Sequence, residues 1–398
     1  MSAALGEQVQ RFRSPDRQRS PLLRIDPLLF IAAVGLIACS VYVVGKATHN
    51  DIPGDPGYYQ LRQTLYGVVG IVVMLLIARF DYSRLRELKL GIYGTLIGLI
   101  LLVFAVAGAT RGSKRWIELP FFRLQPSELG KILLVVALAA FAVDRIRRLN
   151  ERETTSRLML LATVPAMLVV AQPDLGSGMV YMAIAGAVLF VAGTKWTHFA
   201  VLGALTTAAI AAVLVVAPAM GVTVLKTYQK DRLTAFVNPT HDPREQGYQL
   251  QQSTVAIGSG EKTGRGPEGA TQTKLDFLPE HHTDFVFSVI GEMFGFAGAA
   301  FVLSLYALLV WRALRILTMS KNLYGTLIVG GIASMLMFQV FINVGMTVGL
   351  GPITGVPLPL MSYGGSSVLV TFIAIGLLQS VHVQARLTND AKRRELIV

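Results

Sequence analysis

Residues 275–295 read LDFLPEHHTDFVFSVIGEMFG. A polar turn with two histidines, a threonine and an aspartate runs straight into an apolar stretch that extends to residue 311. A helix needs about 20 such residues to cross a bilayer. A charge costs roughly 2.5–3.5 kcal/mol at the bilayer centre and less near the interface. Asp284 therefore marks the mouth of a membrane helix, and it is a functional candidate on that ground alone.

Working outward, the same apolar pattern recurs along all 398 residues, at approximately 27–48, 63–79, 90–109, 128–145, 158–172, 177–193, 198–219, 285–311, 323–349 and 366–383. Composition agrees: 53% of residues are hydrophobic and 15% charged, with a mean hydropathy of +0.55, whereas soluble domains carry about 25% charged residues. The expected fold is an all-α polytopic membrane protein of about ten spans, with a large extracytoplasmic loop, 220–284, between spans seven and eight. One membrane domain is expected over 27–385. It is flanked by a basic, disordered N-terminal tail (1–26) and a short basic tail (386–398). No cleavable signal stands out in the Arg- and Ser-rich first 20 residues. The single cysteine, Cys39, lies in the first apolar run, which excludes a disulfide framework.

Lys and Arg set the orientation. With both termini inside, 22 of the 36 basic residues fall in cytoplasmic segments. The net charge of +12 is thus mostly a topology signal, and no basic stretch interleaved with aromatics suggests nucleic acid. In this orientation four polar segments face outward together: loop 110–127, the QPDLG turn at 172–176, loop 220–284 and loop 350–365.

Loop 110–131 reads TRGSKRWIELPFFRLQPSELGK. Arg111, Lys114, Arg115 and Arg123 concentrate positive charge outside, beside Trp116, which sits at headgroup level, and Gln125. Arginine forks suit a phosphate or pyrophosphate; generic headgroup contact is the plainer alternative. Glu128 and Lys131, at i and i+3, share a helical face, as the wall of a polar cavity or as a simple ion pair. Asp174 is either a ligand contact or an N-cap. The Gly- and Pro-rich run GPITGVPLPLMSYGGSS (351–367) reads as a tightly folded segment that must be covered by protein. Its Ser362, Tyr363, Ser366 and Ser367 offer hydroxyls to a ligand or cap a helix. Gln339 and Asn343 are interhelical glue or ligand contacts. His281 and His282 are adjacent and cannot share one helical face. With no HExxH or cysteine cluster, structural zinc is not expected, and a hard divalent cation, Mg or Mn, stays open. GSGEKTG (258–264) superficially matches penicillin-binding and phosphate-loop motifs, but it lacks their context and reads as a flexible segment.

Taken together, RWI…QPSELGK (115–131), QPDLG (172–176), YQ…AIGSG (248–260), FLPEHHTDFVFSVIGE (277–292) and FINVGM…GVPLPLMSYGGSS (341–367) resemble the SEDS family of bacterial shape, elongation, division and sporulation proteins. GATQTKLDFLPE and GVPLPLMSYGGSS resemble its elongation branch, the RodA type, more than its division branch. The resemblance implies a ten-span fold and a peptidoglycan glycosyltransferase that polymerises lipid II on the outer face of the bacterial cytoplasmic membrane. It implies a class B penicillin-binding protein and other elongation-complex membrane proteins as partners. It also places Asp284 at the family's essential aspartate, Glu128 and Lys131 at the acid and lysine of its central cavity, Arg115 at its RW arginine, and Asp276 at an acidic position that modulates activity. Two departures stand out: Met293 follows Glu292 where the family often has a second acid, and Glu261 follows AIGSG where glycine is usual. The competing readings are a lipid II flippase, which would need polar residues through the full depth, and a noncatalytic scaffold, which would tolerate loss of Asp284.

Overall fold

The computed structural model describes residues 24–49, 51–106, 115–118, 123–149, 151–211, 246–275 and 277–395. Ten helices stand at the ten expected spans. They are α1 (Pro27–Ala47), α2 (Tyr58–Arg79), α3 (Lys89–Val106), α4 (Pro126–Asp144), α5 (Arg152–Ala171), α6 (Leu175–Val191) and α7 (Trp196–Ala211). After the shorter α8 (Gln246–Ser259) come α9 (Val286–Met319), α10 (Leu323–Thr347) and α11 (Gly365–Glu395). Seven are long and apolar enough to cross a membrane, and α3 and α6 are shorter apolar helices. The described part of the seventh span ends at Ala211, and its continuation to 219 lies outside the described residues.

Local chemistry starts these helices. Asp26 caps α1 by accepting from Leu29 N–H, with Pro27 at the first helical position. Asn322 caps α10 through Gly325 N–H. Pro126 opens α4. Several helices outrun their apolar spans: α2 starts at Tyr58, α5 at Arg152, α9 ends at Met319 and α11 at Glu395. Hydropathy marks the part of a helix that meets lipid, whereas backbone hydrogen bonding continues until a breaker intervenes. The tail expected from residue 386 is therefore helical through 395.

Burial separates inner from outer helices. In α4 and α11, 83% and 89% of the apolar window is enclosed by protein, against 28% in α2 and α9. Small residues allow the close approaches. A Cβ at Gly70 of α2 would stand 2.1 Å from the Phe372 ring of α11, and one at Gly331 of α10 would stand 2.9 Å from Val135 of α4. Lipid-facing positions keep large apolar side chains outward, Phe296, Phe341 and Leu350 among them.

GSGEKTG is held in place, contrary to the expectation of a flexible segment. Helix α9 breaks at Gly295, whose φ of 61° and ψ of −157° are non-helical. The break removes helical acceptors, and the loop supplies them: Phe296 and Ala297 donate to the carbonyls of Glu261 (2.9 Å) and Lys262 (3.0 Å). Irregular backbone is tolerated at membrane depth only with such internal satisfaction. Buried Glu292 anchors the next stretch, accepting from Gln272 N–H, Thr273 N–H and the Thr273 hydroxyl at 2.7–3.1 Å.

Candidate active site

The segments expected to share one side meet at one end of the bundle, joined by hydrogen bonds between residues far apart in sequence. A two-stranded ribbon, β1 (Ile117–Glu118) with β2 (Arg123–Leu124), precedes α4. Arg115, just before β1, donates from Nε to Gln172 C=O at 3.2 Å, tying the RW segment to the QPDLG turn. Trp116 beside it is half-buried. Gln125 Nε2 donates to Asp174 Oδ2 (3.1 Å), and so does the Ser127 hydroxyl (3.1 Å). Asp174 also caps α6 through Ser177 N–H. This carboxylate is buried and fully engaged in holding the turn, so the capping reading accounts for it. The Ser366 hydroxyl donates to Arg123 C=O and accepts from Gln125 N–H, fastening the start of α11 to the same place.

The 350–364 loop crosses from that turn to the aspartate motif. Gly176 lies so close to it that a Cβ would stand 2.7 Å from Thr354 O. Val356, Leu358, Leu360 and Met361 are buried, so the segment is covered by protein as expected. Ser362 is buried as well, and its oxygen accepts from Leu358 N–H at 2.8 Å, closing this turn. Asn343 Nδ2 donates to two carbonyls, Val356 (2.8 Å) and Asp284 (3.0 Å), which clamps the loop to the catalytic candidate. Tyr363 N–H donates to His282 C=O at 2.8 Å.

Asp284 is half-buried in the turn just before α9. That turn curls over Glu280, whose carbonyl receives the N–H groups of Thr283, Asp284 and Phe285 at 3.1–3.3 Å. Glu280 holds a φ of 54°, and Leu360 across the site holds 63°. The backbone that presents Asp284 is thus pinned at its own N–H, at its own C=O and at the carbonyl of His282.

Beside it stand residues that sequence reasoning passed over. Asp51, from the α1–α2 loop, has Oδ2 3.4 Å from His281 Nε2 and 3.9 Å from His282 Nδ1. The His282 ring packs against Tyr59 (4.9 Å between centroids) and Tyr363 (5.7 Å). Burial above all pushes the Tyr363 hydroxyl well above the usual phenol range, so it stays protonated and can donate. The signal was faint: HNDIPGDPGYYQ (49–60) is one more Gly- and Pro-rich polar segment on the same side.

Glu128 and Lys131 form an ion pair of 2.6 Å, with side chains only 3% and 1% exposed. The pair lies inside the bundle next to Tyr181, whose hydroxyl donates to Ser127 C=O. Arg111, Lys114 and Asp276 lie outside the described residues.

Residues 24–387 match the FtsW, RodA and SpoVE family of cell cycle proteins. The chain belongs to that family. It is 33% identical over 370 residues to the peptidoglycan glycosyltransferase MrdB of Escherichia coli K12, covering 93% of this chain and 96% of MrdB. It is 38% identical over 362 residues to a probable peptidoglycan glycosyltransferase FtsW of Thioalkalivibrio sulfidiphilus, covering 89% and 87%. A solved chain from a study of structural coordination of polymerization and crosslinking by a peptidoglycan synthase complex superimposes with a TM-score of 0.75. It shares 30% identity and covers 91% of this chain and 98% of its own length. The fold is that of a multi-pass membrane protein, and the family's named relatives are glycosyltransferases.

Proposed function

We infer that this chain is an inverting peptidoglycan glycosyltransferase that polymerises lipid II into β-1,4-linked strands on the outer face of the cytoplasmic membrane, during elongation and shape maintenance. The observation that carries this reading is the fixed placement of Asp284, in a turn that the 341–367 motif segment clamps. Its backbone is held by hydrogen bonds from three directions. Such fixing is what a general base requires, since it must meet the acceptor hydroxyl within hydrogen-bond reach.

The reaction needs one carboxylate. Asp284 takes the proton of the acceptor sugar hydroxyl. The freed oxygen attacks the anomeric carbon, the bond to the donor pyrophosphate breaks, and the lipid pyrophosphate leaves. One displacement at an α-linked carbon inverts it to β, unlike the two-carboxylate retaining route. Charge developing on the leaving oxygens needs cations. Arg115 supplies one, with Arg111 and Lys114 on the same loop, and a divalent ion such as Mg or Mn is compatible with this role. Lys131, paired with Glu128, contributes from within the bundle. Asp276 is assigned a modulating role in the loop that leads to the HHTD turn.

The complex in the structural relative supports a class B penicillin-binding protein as the cross-linking partner here, with further elongation-complex membrane proteins around it. Both termini are placed in the cytoplasm by the basic-residue bias. The deciding experiment is lipid II polymerisation by the purified chain with its partner. Asp284→Asn keeps size and hydrogen-bonding reach but cannot accept the proton, so strand synthesis should fall by about 10²–10⁴-fold while partner binding persists. Near-normal synthesis would remove Asp284 from the chemistry.

A further inference from the structure

We propose that Asp51, His281 and His282 form a binding site for a divalent transition-metal ion, bridging the α1–α2 loop to the turn that carries Asp284. The proposal does not rest on the polymerase reading. Its basis is geometric. One donor atom from each residue lies within 4.8 Å of the other two. They come from two segments some 230 residues apart, so local sequence does not force the grouping. Adjacent histidines cannot share a helical face, but here they sit in a turn, with ring centroids 5.2 Å apart and planes at 74°. That lets both rings address one point.

The separations suit an ion. Imidazole nitrogen and carboxylate oxygen bind zinc-like ions at about 2.0–2.2 Å. Two such donors at a tetrahedral angle are then about 3.4 Å apart. His281 Nε2 and Asp51 Oδ2 are 3.4 Å apart. A charge-assisted hydrogen bond would be shorter, about 2.7–2.9 Å. His282 Nδ1 stands at 3.9 Å from the same oxygen, so a modest ring rotation completes the set.

Protonation points the same way. His281 Nδ1 lies 3.2 Å from Leu278 C=O. A carbonyl only accepts, so this nitrogen carries the proton. Nε2 is then the ring nitrogen on the Asp51 side and the one that would bind the ion. A second-shell carbonyl fixing the ligand tautomer is the usual arrangement at histidine metal sites. Two imidazoles and one carboxylate favour Zn, Mn, Co or Ni over Mg, which prefers oxygen ligands. Three protein donors leave at least one position for water or an oxyanion. The ion would tie the HHTD turn to the α1–α2 loop, a link that the Asn343 and Tyr363 hydrogen bonds do not make.

The test uses the full-length protein in lipid nanodiscs, purified on a tag without histidines and stripped with chelator, then titrated with Co(II) alone. Expected is one Co(II) per chain with the intense visible absorption of a low-coordinate site, displaced by Zn(II). Asp51→Ala and His281→Ala should each weaken binding by on the order of 10- to 100-fold or more. His49→Ala, an exposed histidine near the same loop, should leave it unchanged. Saturating Zn(II) should raise the melting temperature of the parent chain and not of Asp51→Ala. If the alanine variants do not accumulate, Asp51→Asn and His281→Gln carry the same comparison. Absence of a stoichiometric Co(II) signal, or binding that survives all these substitutions, would overturn the proposal in favour of a histidine–carboxylate ion pair. Neither result depends on whether the chain polymerises lipid II.

Discussion

Replacing Lys131 with Met isolates what the buried ion pair does. Glu128 Oε1 and Lys131 Nζ are 2.6 Å apart and nearly sealed from solvent. At an effective dielectric of about 20, two unit charges at that distance attract by roughly 6 kcal/mol, and desolvating both ions costs several kcal/mol each. Attraction and cost nearly cancel, so the intact pair adds little net stability. Removing one partner does not cancel: an orphaned buried carboxylate costs about 3–5 kcal/mol, against a typical total stability of about 5–15 kcal/mol. Lys131→Met should therefore melt far lower than the parent and accumulate poorly. Lys131→Met combined with Glu128→Leu removes both charges at similar volume and should recover most of that loss. Tryptophan-fluorescence melts on the parent, both single variants and the double give the coupling energy directly. The same four proteins, with the partner and lipid II, separate fold from chemistry: the double variant should be stable and inactive. A single variant as stable as the parent would refute the closed-pair reasoning. A double variant that polymerises normally would show that the charges serve the fold alone.

Three further outcomes follow from other parts of the molecule. Gly295→Ala should destabilise by about 2 kcal/mol or more, because φ is positive there and the new Cβ would stand 2.4 Å from Gly264 N; Gly186→Ala, which meets open space, should melt like the parent. At the other end of the bundle, burial works to raise the Asp26 carboxyl, but the Arg312 guanidinium and Leu29 N–H more than offset it and hold its pKa below 3.8. Its stabilising contribution is thus full well above pH 3.8 and is lost as pH falls further, so the gap in melting temperature between parent and Asp26→Asn should be constant from pH 7 to 5 and close below 3.8. Single cysteines at Gly269 and Glu153, in a Cys39→Ser background, should label from outside and inside the cell respectively; the reverse pattern would overturn the assigned orientation.

The ten spans were legible because each apolar run reports the part of a helix that lipid or protein must cover. What hydropathy does not report is where a helix stops, so α9 and α11 run eight and twelve residues past their predicted ends. Asp284, Glu128 and Lys131 stood out because charge at a membrane edge is costly and therefore informative. Asp174 and Ser362 also stood out, yet both are occupied in holding turns. A polar residue beside a helix start looks the same in sequence whether it binds a ligand or a backbone N–H. GSGEKTG looked flexible because its partners, the freed N–H groups of Phe296 and Ala297, arise only from a break in another segment. Asp51 was silent for the same reason. Its neighbours are 230 residues away, and nothing within a window around it says so.

The strained positions explain why these motifs are long. Glu261, Glu280 and Leu360 all hold left-handed backbone, with φ of 48°, 54° and 63°; Glu280 and Leu360 lie inside two motif segments and Glu261 directly follows a third. Each such residue costs about 1–2 kcal/mol and persists only where its surroundings over-determine it. The surroundings do so with bonds inside one segment and between segments. The Glu261 carbonyl completes the broken α9. The Glu280 carbonyl gathers the three N–H groups of the HHTD turn. Leu360 lies in the loop that Asn343 and Tyr363 tie to that turn. No local hydrogen bond could hold Asp284 this way, because its carbonyl and that of His282 are held from another segment. A fixed carboxylate at the mouth of a membrane helix therefore requires distant stretches to be specified together, here the HHTD turn and the 341–367 segment that Asn343 and Tyr363 tie to it.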